Sequence, residues 1–136
     1  MNFETYVPKR ATIGSAGYDL YAPQDYELEP GKWTVIDTKV ALTDEDQCSD
    51  FERWFMMVVP RSGLSFHYGL RIRNTVGVID MDYRDTIKCS VSVDEPYSLR
   101  MGERFAQAII LPYGVFDGEV SPTETRNGGF GSTGKK

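Results

Sequence analysis

The sequence predicts a mainly β fold, and three observations carry the prediction. Glycines and prolines recur at short intervals along the chain. The runs between them are short and rich in β-branched and aromatic residues, as in Trp33-Thr34-Val35-Ile36, Phe55-Met56-Met57-Val58-Val59 and residues 105–111. A long amphipathic helix is hard to find; residues 44–54 have room for a short one, with acidic residues leading toward Phe51, Trp54 and Phe55. With 136 residues, 40% of them apolar and 26% charged, the chain is expected to be one soluble globular domain with a substantial core.

Composition also excludes function classes. No apolar run reaches membrane-spanning length, and the opening Met1-Asn2-Phe3-Glu4-Thr5-Tyr6 lacks the pattern of a signal peptide, so the expectation is a cytoplasmic protein without a membrane partner. A formal net charge of −5 argues against affinity won by neutralising a nucleic-acid backbone. A small polyanion would still be bound where basic groups and backbone amides are concentrated, with a metal ion to offset its charge. Cys48 and Cys89 lack CxxC spacing and only His67 accompanies them, which is poor material for a zinc site or a nucleophile–histidine pair.

In chain order, Ala16-Gly17-Tyr18-Asp19-Leu20-Tyr21-Ala22 reads as a strand, with Tyr18, Leu20 and Ala22 on one face and Asp19 and Tyr21 on the other; its plain structural reading is an edge strand. Asp44, Glu45, Asp46, Asp50 and Glu52 make residues 43–54 an acidic surface excursion, anchored by Phe51, Trp54 or Phe55. Excision of residues 43–50 is expected to leave activity nearly intact, and the excursion is the place where a protein partner would dock. Pro60-Arg61-Ser62-Gly63-Leu64-Ser65 ends an apolar strand with a cation, a hydroxyl and a glycine, a terminus suited to an anion and otherwise an ordinary loop. Residues 73–88 read as a hairpin whose turn bears Asp80, Asp82 and Tyr83. Gly102-Glu103-Arg104-Phe105-Ala106-Gln107 enters a buried strand with Gln107 aimed out of it. Residues 126–136 form a glycine-rich arm with one aromatic, Phe130. Residues 129–135 fit GxxxxGK, but Lys136 follows where a P-loop needs Ser or Thr.

These five segments, in this order, resemble the five motifs of the trimeric dUTP pyrophosphatase (dUTPase) family. The resemblance implies a distorted jelly-roll-like β barrel over residues 1–125, a mobile C-terminal arm over 126–136, and a homotrimer with active sites assembled from motifs of all three chains. The implied substrate is dUTP, hydrolysed with Mg²⁺ to dUMP and pyrophosphate. This would keep uracil out of DNA and supply dUMP for dTTP synthesis.

Carried onto these positions, the resemblance makes Asp80 the base that activates the attacking water and Asp19 a metal partner acting through water. Tyr83 stacks beneath the deoxyribose, and Asn74 helps read uracil. Gly77, Val78 and Ile79 lie in the stretch whose backbone holds the uracil edge. Arg61, Ser62, Gly63, Gln107 and Arg126 face phosphates; Phe130 covers uracil, and Gly131, Ser132 and Thr133 reach the terminal phosphate. The chain departs from the family pattern in three places. Asp85-Thr86 stand where Gly and an acidic residue are usual, Arg126 lies one residue closer to Phe130, and the acidic excursion is longer than in most members. The alternatives are a related dCTP deaminase and a regulatory nucleotide-binding protein of the same fold.

Overall fold

The computed structural model describes residues 2–3, 7–124 and 126. Twelve strands and one helix follow in order among them: β1 (Asn2–Phe3), β2 (Lys9–Arg10), β3 (Gly17–Tyr21), β4 (Tyr26–Leu28), β5 (Thr34–Asp37), β6 (Val40–Ala41), β7 (Trp54–Pro60), α1 (Ser62–Tyr68), β8 (Arg71–Ile72), β9 (Gly77–Asp80), β10 (Lys88–Ser92), β11 (Tyr97–Leu99) and β12 (Arg104–Pro112). The fold is mainly β, as expected. A five-stranded sheet runs β2-β3-β12-β7-β9, a three-stranded sheet runs β5-β10-β8, and β11-β4 and β1-β6 form two ribbons. Every strand pair is antiparallel, an arrangement that is jelly-roll-like.

β12 and β7 form the spine inside the five-stranded sheet; β7 alternates with a period of two, whereas Phe105 and Ala106 are buried side by side where the register of β12 shifts. In β7, Trp54, Met56 and Val58 are buried while Phe55, Met57 and Val59 are half-buried. β12 buries Phe105, Ala106 and Ala108 completely and pairs with β3 on one side and β7 on the other. Leu20, Leu28, Ile36, Leu70, Ile87 and Leu99, drawn from several sheets and connections, close on Phe105 to make one core. Among the described residues no helix is long and apolar enough to cross a membrane.

Three local expectations are corrected. Residues 73–88 are not a hairpin: β9 pairs with β7, whereas β10 pairs with β5 and β8, so residues 81–87 carry the chain from one sheet to another. The reason is burial, since the free edge of β7 lets Gly77 and Ile79 turn inward while Val78 and Asp80 stay out. The helix is not in 44–54, where Asp46 Oδ2 accepts from the Thr43 N–H at 2.8 Å and fixes a turn. It is Ser62–Tyr68, stopped by Gly69 at φ 69°, whose N–H reaches the carbonyls of Leu64 and Ser65. Finally, the plain alternative for residues 16–22, an edge strand, gives way to an interior one: β3 lies between β2 and β12, and Asp19 is buried.

Candidate active site

The polar residues expected to matter gather in two clusters. The first lies where β3, the end of β7 and β12 meet. Asp19 stands opposite Gln107 in the ladder and is only 6% exposed. A carboxylate so buried needs cations, and it has two: Arg61 Nε at 3.2 Å and Arg104 Nη1 at 3.5 Å. Gln107 Nε2 donates to the Pro60 carbonyl at 3.2 Å, which orients its amide. Gly17 makes this possible, because a Cβ there would fall 2.3 Å from Gln107 Oε1. Gly17, Asp19, Arg61, Ser62 and Gln107 line an open cavity of about 240 Å³. Gly63 follows Ser62 on α1 and lines a neighbouring cavity of about 450 Å³ that shares Arg61 as its wall. One cation, Arg61, joins an amide and a hydroxyl on this open cavity, and such a donor set makes a cradle suited to an anion.

The second cluster is the turn after β9. Asp80 ends that strand with its side chain 54% exposed, and the Tyr83 N–H closes the turn onto the Asp80 carbonyl at 3.0 Å. Tyr83 is 6% exposed and donates its hydroxyl to the Thr86 carbonyl at 3.0 Å. Burial, then the charges of Asp85 and Asp37, push its phenol above the ordinary value, with Arg126 opposing. Arg126 spans the cluster: Nε donates to Asp82 Oδ1 at 2.9 Å, Nη2 donates to Asp80 Oδ2, and the guanidinium carbon lies 5.9 Å from the centre of the Tyr83 ring. The hydrogen bond to Asp82, with the charge of both carboxylates, holds this guanidinium above its usual value against the effect of burial. Leading into β9, Asn74 is exposed beside Thr75, a β-branched residue at φ 68° whose N–H bonds the Ile72 carbonyl at 2.9 Å. Such a conformation costs energy and fixes the turn that presents Asn74.

The two clusters sit at opposite ends of β7. Asp80 is level with Phe55, whereas Arg61 follows Pro60, and from Phe55 to Pro60 a strand rises roughly 17 Å. The structure thus brings Asp19, Arg61, Ser62 and Gln107 together, and separately Asp80, Tyr83 and Arg126, with Asn74, Gly77, Val78 and Ile79 on the approach to the second group. Phe130, Gly131, Ser132 and Thr133 lie outside the described residues. Arg104 and Asp44 are residues the sequence reading missed. Arg104 is Asp19's second cation, and Asp44 pairs with Arg84, with Nε and Nη2 at 2.9 and 2.8 Å from Asp44 Oδ1. Both depend on partners far away in the chain, for which no local signal exists.

The molecule is thus an antiparallel, jelly-roll-like β protein with two separate polar clusters, one lining an open cavity and one on the turn after β9. The dUTPase family model matches residues 4–134, and the chain belongs to that family. It is similar to the deoxyuridine 5'-triphosphate nucleotidohydrolases of Nautilia profundicola, at 38% identity over 99% of this chain and 95% of the relative, and of Laribacter hongkongensis, at 39% over 95% and 89%. Among solved structures, the dUTPase of Streptococcus mutans is 28% identical with a TM-score of 0.70, covering 87% of this chain and 100% of that one. The Staphylococcus bacteriophage 80alpha dUTPase with dUPNHPP is 25% identical with a TM-score of 0.71, covering 96% and 93%.

Proposed function

We propose that the chain hydrolyses dUTP to dUMP and pyrophosphate. The observation that carries this reading is the pairing of an anion cradle with a solvent-accessible aspartate on a braced turn, the two needs of phosphoryl transfer: charge stabilisation and a positioned base. Arg61, Ser62 and Gln107 bind the phosphates, and Asp19 orients Arg61 through its Nε. Arg126 exchanges its carboxylate partners for a phosphate, freeing Asp80 to accept a proton. The water oxygen attacks the α-phosphorus, its proton passes to Asp80, and the bond to the bridging oxygen breaks as pyrophosphate departs. Tyr83 supports the deoxyribose, with its ring in the way of a 2′-hydroxyl, while Asn74 and the backbone of Gly77, Val78 and Ile79 read uracil. Phe130 covers the base; Gly131, Ser132 and Thr133 reach the terminal phosphate.

The donor set fits Mg²⁺ in a particular way. Among the described residues there is no group of three or more His, Cys, Asp or Glu side chains able to hold a metal. Asp19 is the one carboxylate lining the cradle, so the ion would be held chiefly by phosphate oxygens and water, with Asp19 reaching it through that water. Bound there, Mg²⁺ would neutralise phosphate charge and polarise the phosphoryl oxygens.

The roughly 17 Å between Asp80 and the cradle along β7 favours sites shared between copies, the cradle from one and the Asp80 turn from another. The proposed assembly is a homotrimer, and the proposed compartment is the cytoplasm. Pyrophosphate release with Mg²⁺ across dUTP, dCTP, dTTP and UTP tests the reading. Strong preference for dUTP supports it, deamination of dCTP would instead favour the related deaminase, and binding of dUTP without turnover would favour a regulatory protein.

A further inference from the structure

We propose that Arg84 and Asp44 form a brace that positions the Asp80 turn, so that the acidic segment of this chain contributes a positioning residue to hydrolysis. The inference rests on the dUTP-hydrolysing reading above. Because β9 ends at Asp80 and β10 belongs to another sheet, residues 81–87 run between two sheets. Tyr83 fixes the inner side of that crossing. The outer side is held by Arg84, whose Nη1 donates to the Met81 carbonyl at 2.8 Å and the Tyr83 carbonyl at 3.2 Å. A guanidinium is a rigid plane, so fixing its other edge fixes the carbonyls it holds. Asp44 does this, with Oδ1 at 2.9 Å from Arg84 Nε and 2.8 Å from Nη2.

Asp44 is itself tied down. Gln47 Nε2 donates to its carbonyl at 3.1 Å, the adjoining Thr43 N–H donates to Asp46 Oδ2, and the segment is rooted in the core by Leu42 and Trp54. A continuous set of contacts therefore runs from the core through Asp44 and Arg84 to the carbonyls on either side of Asp82. The Asp44 side chain is 95% exposed, so the pair adds little to global stability. Its effect is on placement, to which proton transfer and in-line attack are sensitive. Asp44 is thereby a positioning residue for hydrolysis, contrary to the expectation that excising residues 43–50 is harmless.

The test compares steady-state dUTP hydrolysis and melting temperature for wild type, Asp44→Asn, Asp44→Glu, Arg84→Gln, the Asp44→Asn/Arg84→Gln double variant, and Asp50→Asn, which makes the same charge change elsewhere in the segment. The brace predicts kcat lowered about threefold by Asp44→Asn and about tenfold by Arg84→Gln, with KM and melting temperature nearly unchanged. The double variant should be no worse than Arg84→Gln, Asp44→Glu should retain most activity, and Asp50→Asn should match wild type. Unchanged kcat in both single variants, additive losses, or an equal loss in Asp50→Asn would overturn the brace alone. Wild-type protein inactive on dUTP would overturn both the brace and the functional reading.

Discussion

Arg126 is the cation on the carboxylates of the turn after β9, donating to Asp80 and Asp82 together, and in the proposed mechanism Asp80 leaves it to act as a base. Asp80→Asn is nearly isosteric and cannot accept the proton, so turnover should fall by about 10²- to 10⁴-fold while a non-hydrolysable dUTP analogue still binds. Near-normal turnover would remove Asp80 from that role. Tyr83→Ala should narrow the preference for dUTP over UTP, since the ring under the sugar is gone; competition kinetics would show an unchanged ratio if the steric account is wrong.

At the same scale, burial pushes the Cys89 thiol from 9.0 up to about 12, so the folded chain keeps the proton that the unfolded chain releases. A raised pKa contributes stability that is fully present below pH 9 and is lost as pH rises toward 12. Tyr97, pushed to about 12 by its hydrogen bond to Glu103, acts in the same direction. Urea midpoints measured between pH 8 and 11 should therefore fall with pH. Cys89→Ala should remove part of that slope, and an identical slope would contradict it.

Among the elements, the strands were most readable where pattern and burial agree. Residues 55–59 and 105–111 are mostly apolar runs of strand length, and β7 and β12 extend them by one residue at each end. Partner choice was not readable, because β9 finds its place through the edge of β7, a contact between remote segments. Nor was α1, a short helix defined by its Gly69 stop rather than by an amphipathic stripe. Gly17 on β3 shows what a motif glycine does physically: it gives Gln107 room above the strand. Gly17→Ala should displace that amide and raise KM for dUTP several-fold, with kcat changed less and the fold retained. An unchanged KM would show that the position of Gln107 is unimportant.

Over the whole molecule, the five polar segments were legible one by one, since each is a local run of residues suited to one task. What sequence alone did not reveal is how they divide. The anion cradle and the Asp80 turn lie at opposite ends of β7, and the second cations and anchors, Arg104 and Asp44, come from distant parts of the chain. In the proposed trimer, a cradle works with the aspartate of a neighbouring copy. Co-expressing Asp80→Asn chains with Arg61→Ala chains, each inactive or nearly so alone, tests this directly. If copies assort at random, about one site in four combines an intact cradle with an intact Asp80, and the mixed oligomer should regain about that share of wild-type turnover. If mixed oligomers form and turnover stays at the level of the separate variants, cradle and base act within one chain and the shared-site account is wrong.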